Sequence, residues 1–296
     1  MKLILGSDGY IGSEIVNILN NLNTPLRVLS RKKSRVFSKK LTNTEFYFGS
    51  YSDQNVLNAS LKNIECVYHL IHIFEENNTS NNNADNNLKY FKHFLKESKK
   101  NDIKKIIYFS SAAVYGEKIN EDCTIEDSDL NPINSYGKIK LKMENMLTSF
   151  CKKNQINYLI IRPSSIFGKN SNGKAGKSIV QKLFHSLKND ELFTINGDGT
   201  SVRDYLHVKD LAKTAVQLEI KNCTGIFNIG GQPLSINQII SLIEKNFNSK
   251  IKLLYGEKKE NEVMRLVLNS NKTMNILGKN FDSLQKLENE IQNTSK

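Results

Sequence analysis

Lys2-Leu3-Ile4-Leu5-Gly6-Ser7-Asp8-Gly9-Tyr10-Ile11-Gly12 opens the chain with a short apolar run that passes at once into a glycine-rich turn. Ile11, Ile15, Ile18 and Leu19 follow at helical spacing, and Leu26-Arg27-Val28-Leu29 forms a second apolar run after Pro25. Strand, glycine turn, helix and strand in that order are the setting in which such a turn holds a dinucleotide. Gly6 permits the tight turn, Gly9 lets backbone approach a pyrophosphate, and Gly12 lets helix and strand pack closely. The helix amino end, at Tyr10 and Ile11, then faces the anion. The spacing G-x-x-G-x-x-G is one residue longer than the commonest dinucleotide form.

Outward from this turn, strand and helix patterns alternate as far as Phe167. That predicts an α/β chain with a Rossmann-type, doubly wound parallel sheet. Residues 1–168 are expected to form the dinucleotide-binding domain. From Lys169 the texture changes to a loop, Asn170-Ser171-Asn172-Gly173-Lys174-Ala175-Gly176, followed by a helical pattern from Ile179 to Leu187. Residues 169–296 are expected to form mainly a smaller C-terminal substrate-binding lobe, with 204–230 returning to the first domain. The asparagine-rich stretch Asn77 to Asn87 reads as an exposed loop. An active site belongs in the crevice at the carboxyl ends of the strands, between the lobes.

Tyr136-Gly137-Lys138-Ile139-Lys140 places a phenol and an ammonium four residues apart, on one face of a helix. Forming a free phenolate at neutral pH costs roughly 4 kcal/mol, because tyrosine titrates near pH 10. A neighbouring cation offsets part of that cost, so Tyr136 is a candidate general base and acid. Ser111 lies directly after the apolar run Ile106-Ile107-Tyr108-Phe109, where its hydroxyl can bond the oxygen that exchanges the proton. A Y-x-x-x-K pair alone is also a common pattern on solvated helix faces.

For the cofactor, an NAD-selective site ends its second strand in a carboxylate that accepts from the ribose 2′-hydroxyl. Here that position is Ser30, followed by Arg31, Lys32 and Lys33. Ser30 and Arg31 suit a 2′-phosphate, which favours NADP over NAD.

With these residues together, the chain resembles the extended short-chain dehydrogenase/reductases, the nucleotide-sugar epimerase/dehydratase family, from Met1 to about Gly278. The resemblance implies that Ser111, Tyr136 and Lys140 form the catalytic trio. It also implies that Val67-Tyr68-His69-Leu70 passes the cofactor and that Asn87 helps hold the active-site geometry. In Gly197-Asp198-Gly199-Thr200-Ser201-Val202-Arg203-Asp204-Tyr205-Leu206-His207-Val208, it implies that Arg203 grips the pyrophosphate of a nucleotide sugar, a task suited to a guanidinium's parallel donors. Several positions depart from the pattern. Ser50 stands where an aspartate usually contacts the adenine, and Ile71 and His72 replace two small residues beside the cofactor. Ser165 replaces an asparagine that touches substrate phosphates, and Lys259 stands where a second arginine often clamps the nucleotide.

The implied activity is NAD(P)-dependent hydride transfer at carbon 4 of a nucleotide-activated hexose, either as a UDP-hexose 4-epimerase or as an NADPH-dependent 4-ketoreductase. A non-catalytic, NADP-sensing binder stays open beside them. Dehydration is disfavoured, since relatives that eliminate water carry an acidic pair where this chain has Ala112 and Ala113. Relatives often dimerise through the tyrosine-bearing helix, which makes a homodimer an expectation here.

Composition narrows the alternatives. The net charge of +12 is spread over lysine pairs such as Lys39-Lys40, Lys99-Lys100 and Lys152-Lys153, without an aromatic-interleaved basic motif, so nucleic acid is not the expected partner. Cys66, Cys123, Cys151 and Cys223 show no metal spacing, and the histidines form no helical ligand pair. No metal is expected. Without an apolar run of signal or membrane-spanning length, the expected compartment is the cytoplasm, with no membrane contact.

Overall fold

The computed structural model describes residues 1–31, 41–73, 80–118, 123–258, 262–278 and 282–295. The first elements are β1 (Lys2–Leu5), α1 (Tyr10–Asn21), β2 (Leu26–Ser30), β3 (Thr44–Phe48), α2 (Gln54–Leu61), β4 (Cys66–His69), α3 (Ser80–Lys100), β5 (Lys105–Phe109), α4 (Ser135–Asn154) and β6 (Asn157–Pro163). There follow β7 (Ser165–Phe167), α5 (Ile179–Asn189), β8 (Phe193–Asn196), β9 (Val202–His207), α6 (Val208–Ile220), β10 (Gly225–Ile229) and β11 (Gln232–Ser235). The last are α7 (Ile236–Phe247), β12 (Leu253–Gly256), β13 (Arg265–Leu266), α8 (Asn271–Leu277) and α9 (Ser283–Ser295).

Seven parallel strands form the main sheet in the order β10-β6-β5-β4-β1-β2-β3. The chain enters at β1, winds outward through β2 and β3, then crosses back to β4, so the order reverses between β1 and β4. Ligands bind at such a reversal, beyond the carboxyl ends of the strands. Alternate residues of each strand feed opposite faces. Ile4, Val28 and Ile107 pack with Ile15, Leu19, Leu211 and Ala215 of α1 and α6. Leu3, Leu5, Ile106 and Tyr108 pack with Phe91 and Phe94 of α3 and Met143 and Leu147 of α4. Burial on both faces explains why these strands read as unbroken apolar runs.

A second sheet joins β11, β9 and β13, with β7 also pairing β9, and β12 pairs β8. A separate core of Phe167, Val180, Leu183, Ile239, Ile243, Leu287 and Ile291 lies beneath them. Of the segment 204–230, α6 packs on α1 and β10 pairs with β6 on the main sheet, while the residues up to His207 run in the second sheet.

The expected loop over Asn77–Asn87 is corrected in part: α3 begins at Ser80, and Asn77, Asn78 and Thr79 lie outside the described residues. Asparagine is an indifferent helix former. The buried Asn87, Phe91, Phe94, Leu95 and Ser98 anchor the rest of this 21-residue helix, and tertiary packing overrides a weak local preference.

Two local features aim the tyrosine helix. The Asn134 side chain accepts from the Gly137 amide at 2.8 Å and caps α4, which sets Tyr136 in its first turn. A Cβ on Gly137 would lie 2.5 Å from the Ala113 carbonyl oxygen, so only glycine lets α4 start this close to the turn after Ser111. Farther along, Glu144 of α4 takes two bonds from Arg162 of β6, at 3.1 and 2.6 Å, with both side chains almost fully buried. Arg162 also donates to the Tyr115 hydroxyl at 2.8 Å, which in turn donates to Asn228 of β10 at 2.7 Å. Among the described residues, no helix is long and apolar enough to cross a membrane.

Candidate active site

A cleft of about 820 Å³ runs along the carboxyl ends of the main-sheet strands. Gly6, Gly9, Tyr10, Ile11, Gly12, Arg31, Leu70, Ser111, Tyr136 and Lys140, all singled out from sequence, line it together. At one end the chain turns back from Gly6, the Gly9 amide donating to the Gly6 carbonyl at 3.0 Å. A Cβ at Gly12 would stand 2.1 Å from that same carbonyl oxygen, so no larger residue fits. Gly9 makes no side-chain cap to α1, which leaves the first amides of the helix for an anionic ligand. The cradle fits the pyrophosphate of a nicotinamide dinucleotide.

Ser30 is different. It is buried at the end of β2, and its hydroxyl donates to the Asp8 carboxylate while Arg31 faces the cleft. The pair expected to bind a 2′-phosphate is thus split, with one donor engaged by an acid from the glycine turn. Asn87 stands behind the cleft wall and fixes the exit of β4. Its amide side chain accepts from the Ile73 N–H and donates to the Ile73 carbonyl, both at 2.9 Å.

At the other end, the Lys140 ammonium donates to the Phe109 carbonyl at 2.8 Å and lies 5.7 Å from the Tyr136 ring centre. Burial, opposed by the Glu144 charge, pulls this lysine down to about 7. The Ser111 hydroxyl accepts from the Ala113 amide at 3.2 Å and hydrogen-bonds Tyr136. Here the structure departs from expectation. Burial raises the Tyr136 pKa above its ordinary value, and the side chain that pulls it back is Ser111 rather than Lys140. Desolvation acts on the phenolate directly, whereas a partly deprotonated lysine offers less positive charge.

A second cavity of about 460 Å³ adjoins the first, sharing Tyr10 and Ile166 with it. Ser165 and Arg203 line it, as does Glu262, which sequence reasoning missed. One Glu262 carboxylate oxygen is buried without a hydrogen-bond partner among the described residues. In the polar run Lys258-Lys259-Glu260-Asn261-Glu262 nothing separates it from a solvated surface acid. Arg203 donates to the Val202 carbonyl at 2.7 Å and to that of Val263. Lys259 lies outside the described residues.

Fold and cleft together are of the extended short-chain dehydrogenase/reductase type. The chain belongs to the NAD dependent epimerase/dehydratase family, whose model matches residues 2–230. It is 28% identical over 279 residues to a putative UDP-glucose 4-epimerase of Methanocaldococcus jannaschii, covering 92% of this chain and 90% of that one. A UDP-glucose 4-epimerase of Lactobacillus helveticus is 29% identical over 300 residues, covering 93% and 90%. Among solved structures, the UDP-glucose 4-epimerase of Thermotoga maritima with UDP-glucose superposes with a TM-score of 0.84 at 26% identity, over 99% of this chain and 97% of that one. The Bacillus cereus UDP-glucuronic acid 4-epimerase, in complex with UDP-glucuronic acid and NAD, shares the fold with a TM-score of 0.86 at 24% identity, over 99% of each chain.

Proposed function

We propose that this enzyme is a nucleotide-sugar 4-epimerase acting by reversible hydride transfer at carbon 4, with Tyr136 as the proton carrier. The observation that carries the reading is the convergence of Ser111, Tyr136 and Lys140 in the cleft that the glycine turn lines. A bound nicotinamide supplies the hydride acceptor and donor. The protein's own part is to move one proton: the Tyr136 oxygen takes it from the sugar hydroxyl and later returns it. Ser111, already bonded to that phenol, orients the reacting oxygen and stabilises the phenolate. Lys140 holds the nicotinamide ribose. Ser165 and Arg203 face the space for the nucleotide diphosphate, with Glu262 as a counter-charge beside Arg203 and Lys259 as a further phosphate contact inferred from sequence. The buried Ala112 and its neighbour Ala113 offer no carboxylate for eliminating water.

The cofactor proposed is NAD, recycled in place, because the Asp8 carboxylate bonded to Ser30 would repel a 2′-phosphate. One observation favours a second reading: Arg31 faces the cleft, as NADP and a 4-ketoreductase would require. Turnover assays with UDP-, dTDP-, CDP- and GDP-sugars and both cofactors decide between them. Epimerisation gives interconversion of 4-epimers without net cofactor consumption. Stoichiometric NADPH oxidation on a 4-keto sugar would establish the reductase, and no turnover on any substrate would end both readings.

Arg203→Ala is expected to raise KM for the nucleotide sugar by roughly tenfold to a hundredfold, the loss of a charge-assisted contact. The expected change in kcat is no more than about threefold, since the contact persists from ground state to transition state. An unaltered KM in steady-state kinetics would remove Arg203 from the phosphate site.

A further inference from the structure

His72 has no part in the chemistry described so far. It lies three residues beyond β4, where the family pattern has a small residue, and it lines the same cleft as Ser111, Tyr136 and Lys140. Its imidazole meets the Tyr136 ring edge to face, with centroids 4.9 Å apart and planes at 85°. That is a favoured arrangement for two aromatic rings. The main chain bearing it is pinned one residue later, at Ile73, by the paired bonds from Asn87 of α3. A path of direct contacts therefore leads from the buried face of α3 through Asn87, Ile73 and His72 to the tyrosine ring. Burial, and secondarily the Lys140 charge, holds the His72 pKa down to about 3, so the ring is neutral at any working pH. It adds no second cation beside Lys140.

We propose that His72 is a positioning residue, whose imidazole, packed perpendicular to the Tyr136 ring, fixes the plane of the phenol so that its oxygen meets both Ser111 and the sugar hydroxyl. The inference rests on the proposed role of Tyr136. Proton transfer depends steeply on such alignment, and a ring held on one side only would sample unproductive planes. An aromatic ring supplies the contact without needing a ring nitrogen. A small side chain at this position supplies none.

The test compares His72→Ala, His72→Phe and Tyr136→Phe in the full-length protein, reading kcat, KM for the best nucleotide sugar, and cofactor affinity by titration. His72→Ala is expected to lower kcat about tenfold, with KM and cofactor affinity within about twofold of the parent. His72→Phe is expected to recover kcat to within about threefold. Should His72→Ala not fold, as judged by thermal melting, His72→Leu takes its place with the same expected loss. An unchanged kcat in the alanine or leucine variant would overturn the inference. So would a phenylalanine variant as slow as the alanine one, since a ring nitrogen would then be in use, or a raised KM at unchanged kcat, since the ring would then contact sugar. Full activity in Tyr136→Phe would sink the reading of that tyrosine and this inference with it. An inactive Tyr136→Phe beside a full-rate His72→Ala would sink this inference alone.

Discussion

Tyr136→Phe is expected to lower turnover between about a hundredfold and ten-thousandfold, the range supplied by a positioned general acid or base. The substitution removes one oxygen and leaves the ring, which still packs against His72 and below the Lys140 ammonium. What disappears is the proton acceptor and its bond with Ser111. Cofactor affinity should stay within about twofold, because the glycine turn and the start of α1 are untouched. The melting temperature should also hold, since an oxygen facing a cleft contributes little to the core. The informative measurement pairs single-turnover kinetics with a cofactor titration on one preparation. Turnover within tenfold of the parent would assign the proton to another group. Turnover lost together with cofactor binding would show a collapsed site rather than a missing base.

The largest structural effect is expected from Glu144→Ala. Arg162 is 1% exposed, and Glu144 supplies both of its carboxylate bonds. Removing the acid strands a guanidinium in the interior, with the Tyr115 hydroxyl and the Glu126 carbonyl as its remaining acceptors among the described residues. A broken buried pair of this kind costs about 3–5 kcal/mol, and the melting temperature should fall by roughly 10 °C. Replacing both Arg162 and Glu144 by methionine should recover most of that loss, because no uncompensated charge remains. Denaturant unfolding of the single and double variants checks the prediction; a single variant as stable as the parent would mean that water or a new partner reaches Arg162. Glu144 also raises the Lys140 pKa against the effect of burial. The milder Glu144→Gln should therefore move the loss of the Lys140 ammonium, which in the parent occurs as pH rises through about 7, to lower pH. A pH–rate profile reads that shift.

Much of the site was legible because its parts are local. The glycine turn lies within eleven residues of the amino terminus, and strand, turn and helix each carry their own signal. Tyr136 and Lys140 share a helix face by spacing alone, and the run before Ser111 announced a buried strand. Other features depend on residues distant in sequence. Ser30 reads as a free donor until the fold brings Asp8 to it, 22 residues away. Glu262 reads as surface until β13 and β9 pair and set it beside Arg203. The α3 helix starts earlier than its asparagines suggest, since its anchor is a buried face seven residues farther on.

That Ser111 joins Tyr136 and Lys140 was implied by the family resemblance, whereas the alternation of elements, the parallel class of the sheet and the shared helix face of Tyr136 and Lys140 were legible in the residues themselves. Each of the latter follows from hydrophobic period or from spacing along one element, and such short-range geometry is the same in any fold. The electrostatics emerge only once the chain is packed. Burial, not the neighbouring lysine, dominates the Tyr136 pKa, and the same burial brings Lys140 down to about 7. Desolvation depends on everything packed around a group, so no run of neighbouring residues can state it.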